Sequence, residues 1–188
     1  MIGNERVLAL IPSREGSKRL PMKALRTLGG KPLILWSVEF AQDCGLASAV
    51  AVSTDCAATA IVSSTFGARV IPRPAPLAGD LVPMRPVVAH ARTFFPDCPW
   101  MLLLQPTSPF RKRGALITLA SLLESSGRKR AWSTGADGRP DGGFYLQHID
   151  ASHLPLADSA GGDDAITITV GHLDIDTQAD FDRAKETL

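Results

Sequence analysis

Arg14, Lys18 and Lys23 fall within one short polar run, Ser13-Arg14-Glu15-Gly16-Ser17-Lys18-Arg19-Leu20-Pro21-Met22-Lys23, directly after the apolar stretch Val7–Ile11. Cations gathered this closely suit a polyanion. Gly16 lets the backbone approach a ligand, and Ser17 offers both a hydroxyl and an amide. A triphosphate needs backbone N–H groups around its oxygens and fixed cations where charge develops, and this run could supply both. It is neither the Walker pattern nor the GxGxxG fingerprint, which disfavours a kinase and a dehydrogenase. An exposed, solvated basic loop would carry the same residues, so the run alone leaves both readings open.

A second candidate lies at the other end of the chain, in Asp174-Ile175-Asp176. In extended chain, residues two apart face the same way, so both carboxylates point together with Ile175 behind them. With phosphate oxygens and waters, such a pair suits a hard, octahedral Mg²⁺. The adjoining Thr177-Gln178-Ala179-Asp180 is a capping box leading into Phe181–Leu188, so service at a helix start is the competing role. Other reactive types are scattered. His90, His148, His153 and His172 lack metal spacing, and Ser53 and Ser108 lack a His/Asp arrangement. Cys44 and Cys56 are expected to pack as small apolar residues.

The elements that must hold these residues alternate. Val7–Ile11, Ala49–Val52, Arg69–Ile71, Trp100–Leu104 and Ala131–Ser133 read as strands. Helices are expected from Pro32 to about Cys44, from a Thr54-Asp55 cap to Phe66-Gly67, after the proline-rich loop Pro72–Pro86, and from Arg113 to Ser125. The fully apolar Trp100–Leu104 suits a central parallel strand. Alternation of this kind implies βαβ units and a parallel sheet, and the basic run then sits at the carboxyl end of a buried strand, where open α/β sheets bind ligands. From Gly135 to Gly143 the chain reads as turns. Strands at Gly143–Gln147 and Ile166–Val170 follow, with an Asp/Gly/Ser-rich surface loop between them.

The 188 residues suggest one domain, and 45% hydrophobic with 21% charged content is ordinary for a globular chain. A formal net charge of +1 disfavours a globally basic nucleic-acid binder. That total hides 17 basic against 8 acidic residues in 1–136, and 3 against 11 in 137–188. No apolar stretch reaches membrane-spanning length, the N-terminus lacks a signal peptide, and the 3 cysteines are too few for a disulfide framework. A reducing cytoplasm is the expected compartment.

Ile11–Lys23 resembles the N-terminal signature of the acylneuraminate cytidylyltransferases, the CMP-sialic acid synthetase family. Further blocks similar to the family's follow in its order: Gly30–Ile34, Val52–Asp55, Arg73–Asp80, Leu103–Arg111 and Asp174–Thr177. The Gln105-Pro106-Thr107-Ser108-Pro109 segment separates this family from the similar CMP-Kdo synthetases. The resemblance implies a Rossmann-like nucleotide-diphospho-sugar transferase fold, a mostly parallel twisted sheet with helices on both faces, over a single domain 1–188. It implies CMP transfer from CTP to a sialic-acid-like nonulosonic acid with release of pyrophosphate. Arg14, Lys18 and Lys23 would be catalytic and hold the triphosphate together with Ser17. Arg73 would lie near the base, Asp80 would join the substrate site, and Gln105 and Thr107 would reach sugar or nucleotide. Asp174 and Asp176 would bind Mg²⁺.

Three departures from the pattern stand out. Ala24 replaces the usual asparagine, removing an amide that could bond the nucleotide. Leu81-Val82-Pro83-Met84 stand where small hydroxyl residues are common, which opens the question of base specificity. Between Trp132 and Gly143 the family inserts a long segment that forms its dimer arm and part of the sugar-acid pocket. Here only residues 133–142 stand, with Arg139 the sole cation and thus the candidate carboxylate contact. A homodimer of the family's kind would here lack its usual arm. A nucleotidyltransferase with another nucleotide or acceptor, and a non-catalytic nucleotide-binding module, are the alternatives.

Overall fold

The computed structural model describes residues 1–148 and 165–188. Its centre is the strand Val7–Ser13 (β1), buried along its whole length. Both faces are covered: Val7, Ala9 and Ile11 enter one core, Leu8 and Leu10 another. That explains why the run is apolar throughout rather than alternating. A small hairpin absent from the sequence reading, Thr27–Leu28 (β2) with Lys31–Pro32 (β3), leads into the helix Leu33–Asp43 (α1). There follow Ala49–Thr54 (β4), Ala57–Thr65 (α2), Arg69–Pro72 (β5), Met84–Arg92 (α3), Trp100–Leu103 (β6) and Arg113–Ser126 (α4). The described chain ends with Arg130–Thr134 (β7), Pro140–His148 (β8), Ala165–Thr169 (β9) and Gln178–Glu186 (α5).

The large sheet has the order β5-β4-β1-β6-β8-β7-β9. Neighbours pair in parallel except at β8, which runs antiparallel to both β6 and β7. Ile34, Leu35 and Val38 of α1 cover one face, together with Leu116, Leu119 and Leu123 of α4. Val88 and Ala91 of α3 cover the other, beside Leu8, Leu10 and Met101. The mostly parallel α/β sheet with helices on both faces is therefore the fold of this chain. Since β4 and β6 flank β1 on opposite sides, the chain changes direction across the sheet there. The carboxyl ends of β1 and β6 consequently open the crevice where such sheets take ligands.

Three local expectations are corrected. Pro140–Gly143 belongs to β8 and is not turn; the turn closes earlier, where Gly135 N–H donates to Arg139 O at 2.8 Å. Pro86 lies inside the first turn of α3 and not in a loop, because a missing N–H costs nothing where no intrahelical partner exists. Asp55 does not cap α2. Its carboxylate accepts from Glu15 N–H at 3.0 Å and so tethers the basic loop. The capping box of α5 is present as read. His153 and the expected Asp/Gly/Ser-rich loop lie outside the described residues. No helix among the described residues is long and apolar enough to cross a membrane.

Candidate active site

The loop after β1 turns sharply at Met22, whose left-handed backbone (φ 53°) precedes a one-turn 3₁₀ helix at Lys23–Leu25. That geometry folds the loop back over the carboxyl edge of the sheet. It forms one wall of a cleft of about 410 Å³, to which Arg14, Ser17, Lys18, Arg19 and Lys23 all contribute. Gln105, Pro106 and Thr107, just beyond β6, make the floor. Asp80, Met84 and Asp176 close the remaining sides.

The cations are held by two carboxylates. Asp80 pairs with Arg14 and, at 2.5 Å, with Lys18. Asp176 pairs with Lys23 at 2.7 Å and Arg19 at 2.6 Å. The hydrogen bond and charge of Lys18, with Arg14 beside it, hold the Asp80 carboxyl below the usual carboxylate range. Partial burial would raise Asp176, but its bonds and charge contacts with Lys23 and Arg19 outweigh that and lower it. Asp174 behaves oppositely. Desolvation against the body of the protein raises it, the nearby Thr107 hydroxyl lowers it, and the like charge of Asp176 raises it further. Asp174 makes no ion pair among the described residues. The Thr107 hydroxyl beside it is buried and completes no hydrogen bond of good geometry among the described residues.

Most of the residues singled out in the sequence therefore meet: Arg14, Ser17, Lys18, Lys23, Asp80, Gln105, Thr107 and Asp176 line one cleft. Asp174 is not among the residues that line it: it is exposed beside Thr107, two residues before Asp176, with Ile175 fully buried between them. Arg73 is placed differently. It is buried and donates to Ser53 Oγ at 3.2 Å and Ser53 O at 2.7 Å, bracing the ends of β4 and β5 rather than facing the cleft. Arg139 is exposed on the β7–β8 turn, 4.0 Å from Asp137, away from the cleft.

Three residues gain weight that the sequence did not assign them. Arg19 lines the cleft and pairs with Asp176; its place among other cations was the available signal. Arg111 is buried, its pKa lowered to about 9 by desolvation against the opposing charges of Asp141 and Asp174. It donates to Gly143 O at 2.7 Å, Ser37 Oγ at 2.9 Å and Gln105 O, and so fixes the loop behind the floor. His172 forms a buried pair with Asp141 that no spacing rule anticipates.

The mostly parallel sheet, with loop cations and Asp176 lining one cleft at its switch point, is a Rossmann-like nucleotidyltransferase fold. The family model described as cytidylyltransferase matches residues 8–136, and the chain belongs to that family. The N-acylneuraminate cytidylyltransferase of Escherichia coli O18:K1:H7 is 33% identical over 120 residues, covering 64% of this chain and 29% of that protein. The CMP-N,N'-diacetyllegionaminic acid synthase of Legionella pneumophila is 41% identical over 118 residues, covering 57% of this chain and 48% of that one. These names agree with the family read from the motif blocks. The chain thus spans less than half the length of either relative. Among solved structures, a CMP:2-keto-3-deoxy-manno-octonic acid synthetase complexed with CTP matches with a TM-score of 0.73 at 18% identity, over 97% of this chain and 98% of that one.

Proposed function

We propose that this chain transfers CMP from CTP to a sialic-acid-like nonulosonic acid, acting as one nucleotidyltransferase unit over residues 1–188, with Mg²⁺ and in the cytoplasm. One observation carries the reading. In a chain of the cytidylyltransferase family, the loop cations Arg14, Lys18, Arg19 and Lys23 meet the late carboxylate Asp176 in a single cleft. The names of the two bacterial relatives supply the substrate class. In the reaction the sugar's anomeric hydroxyl oxygen bonds to the α-phosphorus of CTP. The bond from that phosphorus to the bridging oxygen breaks, pyrophosphate leaves with the electron pair, and the hydroxyl proton passes to solvent.

Arg14, Lys18, Arg19 and Lys23 hold the triphosphate and offset the charge that grows on it. At rest these cations are engaged by Asp80 and Asp176, each carrying a single charge. Triphosphate oxygens, with more charge and more acceptors, displace those carboxylates by ordinary Coulomb competition. The exchange releases Asp176 to act with Asp174. The residues fit a hard divalent cation: two carboxylates two residues apart, Asp174 without an ion-pair partner among the described residues, and the buried Thr107 hydroxyl beside it. Asp174 and Asp176 would hold the Mg²⁺, which when bound neutralises phosphate charge and acidifies the attacking hydroxyl. Gln105 and Thr107 on the floor orient the sugar or nucleotide.

Release of pyrophosphate on incubation with CTP, Mg²⁺ and a panel of nonulosonic acids tests this reading; no release with any of them refutes the substrate class. A second reading keeps the transfer and changes the base or acceptor. It is motivated by Ala24 and Met84, which present apolar surface to the cleft where an amide and hydroxyls would read cytosine. A thermal-shift panel of CTP, UTP, GTP and ATP separates the two, since selective stabilisation by CTP excludes a different base.

A further inference from the structure

Between the β7–β8 hairpin and the segment bearing Asp174 and Asp176 lies a buried pair that the reaction above leaves unused. The side chains of Asp141 and His172 are 6% and 2% exposed, and Asp141 Oδ2 meets His172 Nδ1 at 2.9 Å. The carboxylate is fully engaged. Oδ1 accepts from Gly143 N–H at 3.0 Å and from the Ser133 hydroxyl, and Oδ2 also accepts from His172 N–H at 3.1 Å. Asp141 therefore grips His172 by both backbone and ring. The ring stands edge-on to Phe144 with centroids 4.9 Å apart, and its Nε2 is buried with no partner among the described residues.

The consequence lies two residues downstream. Ile175 N–H donates to Thr107 O at 2.8 Å, so the chain is anchored at His172 and again at Ile175. Asp174 sits between those anchors, and Asp176 follows directly. The buried Arg111 adds an electrostatic link, because its guanidinium is attracted to both Asp141 and Asp174. With Asp141 ionised, Arg111 has a fixed counter-charge. Without it, Asp174 is the other carboxylate whose charge acts on Arg111.

Building on the metal reading given above, we propose that the Asp141–His172 pair is a positioning device for the metal-binding carboxylates. It fixes the start of the 172–176 segment, which carries the two aspartates that would hold a divalent cation. Groups that orient metal ligands from behind typically alter metal affinity by about 10- to 100-fold when removed. Asp141→Asn is nearly isosteric, but it abolishes the charge that balances Arg111 and breaks the acceptor pattern around His172.

The test is a Mn²⁺ titration followed by electron paramagnetic resonance on the whole chain with CTP present. CTP affinity is measured separately in EDTA. Asp141→Asn should weaken Mn²⁺ binding by roughly 10-fold or more and leave metal-free CTP affinity within about twofold. His172→Phe, which fills the volume and removes the ring donor, should weaken Mn²⁺ in the same direction and gives the same readout if Asp141→Asn does not fold. Wild-type Mn²⁺ affinity in either folded variant overturns the inference. Failure of the wild-type chain to bind Mn²⁺ at all overturns the metal reading itself, a distinguishable result.

Discussion

Lys23 Nζ donates to the carbonyl of Ile175 at 2.9 Å and to Asp176 Oδ1 at 2.7 Å, so one ammonium joins the loop after β1 to a segment lying 152 and 153 residues further on. The side chain is only 15% exposed, which places its charge where water screens it weakly. The contact unites the cationic and acidic halves of the site in one bond set.

Replacing that ammonium tests its role. Lys23→Met keeps the apolar stem and should lower kcat by about 10²- to 10³-fold, the usual effect of removing one fixed charge or donor from a developing transition state. Initial rates of pyrophosphate release measure it, with circular dichroism confirming the fold. A loss below about tenfold would reduce Lys23 to a strut between the two segments.

Asp176→Ala should abolish Mg²⁺-dependent turnover across the whole accessible Mg²⁺ range. Retained turnover would return Asp174 and Asp176 to supporting the start of α5.

Asp80 faces Arg14 and Lys18 as a counter-ion that a triphosphate must displace. Asp80→Asn should therefore tighten CTP binding several-fold at low ionic strength, with the advantage shrinking as salt screens the exposed cations. Calorimetric titration at two salt concentrations decides. Weaker binding would show that Asp80 contacts the nucleotide directly.

The α5 cap sets an acid-side dependence. The Thr177 hydroxyl and amide, then Arg183 and the Asp176 amide, hold the Asp180 carboxyl well below the usual range. A depressed folded-state pKa contributes stability that is fully present above the ordinary aspartate value of about 3.9. The contribution is lost as pH falls below that value through the folded-state one. Asp180→Asn should cost about 1 kcal/mol at neutral pH, or roughly 2–4 °C in Tm. The gap to wild type should narrow steadily as both are taken from about pH 4 toward about pH 2. A gap that does not narrow over that range would assign the effect to geometry rather than charge.

A Cβ on Gly143 would overlap the His172 ring. Gly143→Ala should destabilise by about 1–3 kcal/mol, the range for overpacking a closed site. His172→Ala removes the obstacle, so the double variant should lose less than the sum of the singles by at least about 0.5 kcal/mol. Denaturant melts of the four proteins give the coupling; simple additivity would mean that the ring yields without strain.

Much of the architecture is legible in local pattern. Apolar runs such as Val7–Ile11 and Trp100–Leu104 had to be covered on both faces, which calls for helices on either side of a parallel sheet. The Thr177–Asp180 capping box and the crowding of Arg14, Lys18 and Lys23 are equally local, since neighbours in sequence settle them. Asp55 marks where such reasoning stops: its spacing fits a helix cap, yet a loop 40 residues earlier supplies the amide it binds. Arg73 carries a motif but meets Ser53 rather than the cleft, and Arg139 is carried outward by the β7–β8 turn.

Strand order settles the rest. Periodicity states that β8 is a strand, but not that it inserts antiparallel between β6 and β7. That insertion brings Asp141 beside His172 and Gly143 over Arg111. Which elements form, and which residues could attract a phosphate or a metal, follows from the chain alone, because short-range sterics, burial and charge act within a few residues. Which carboxylate faces which cation follows only from the folded arrangement. A contact across 152 residues depends on how strands are ordered, and no local pattern encodes that order.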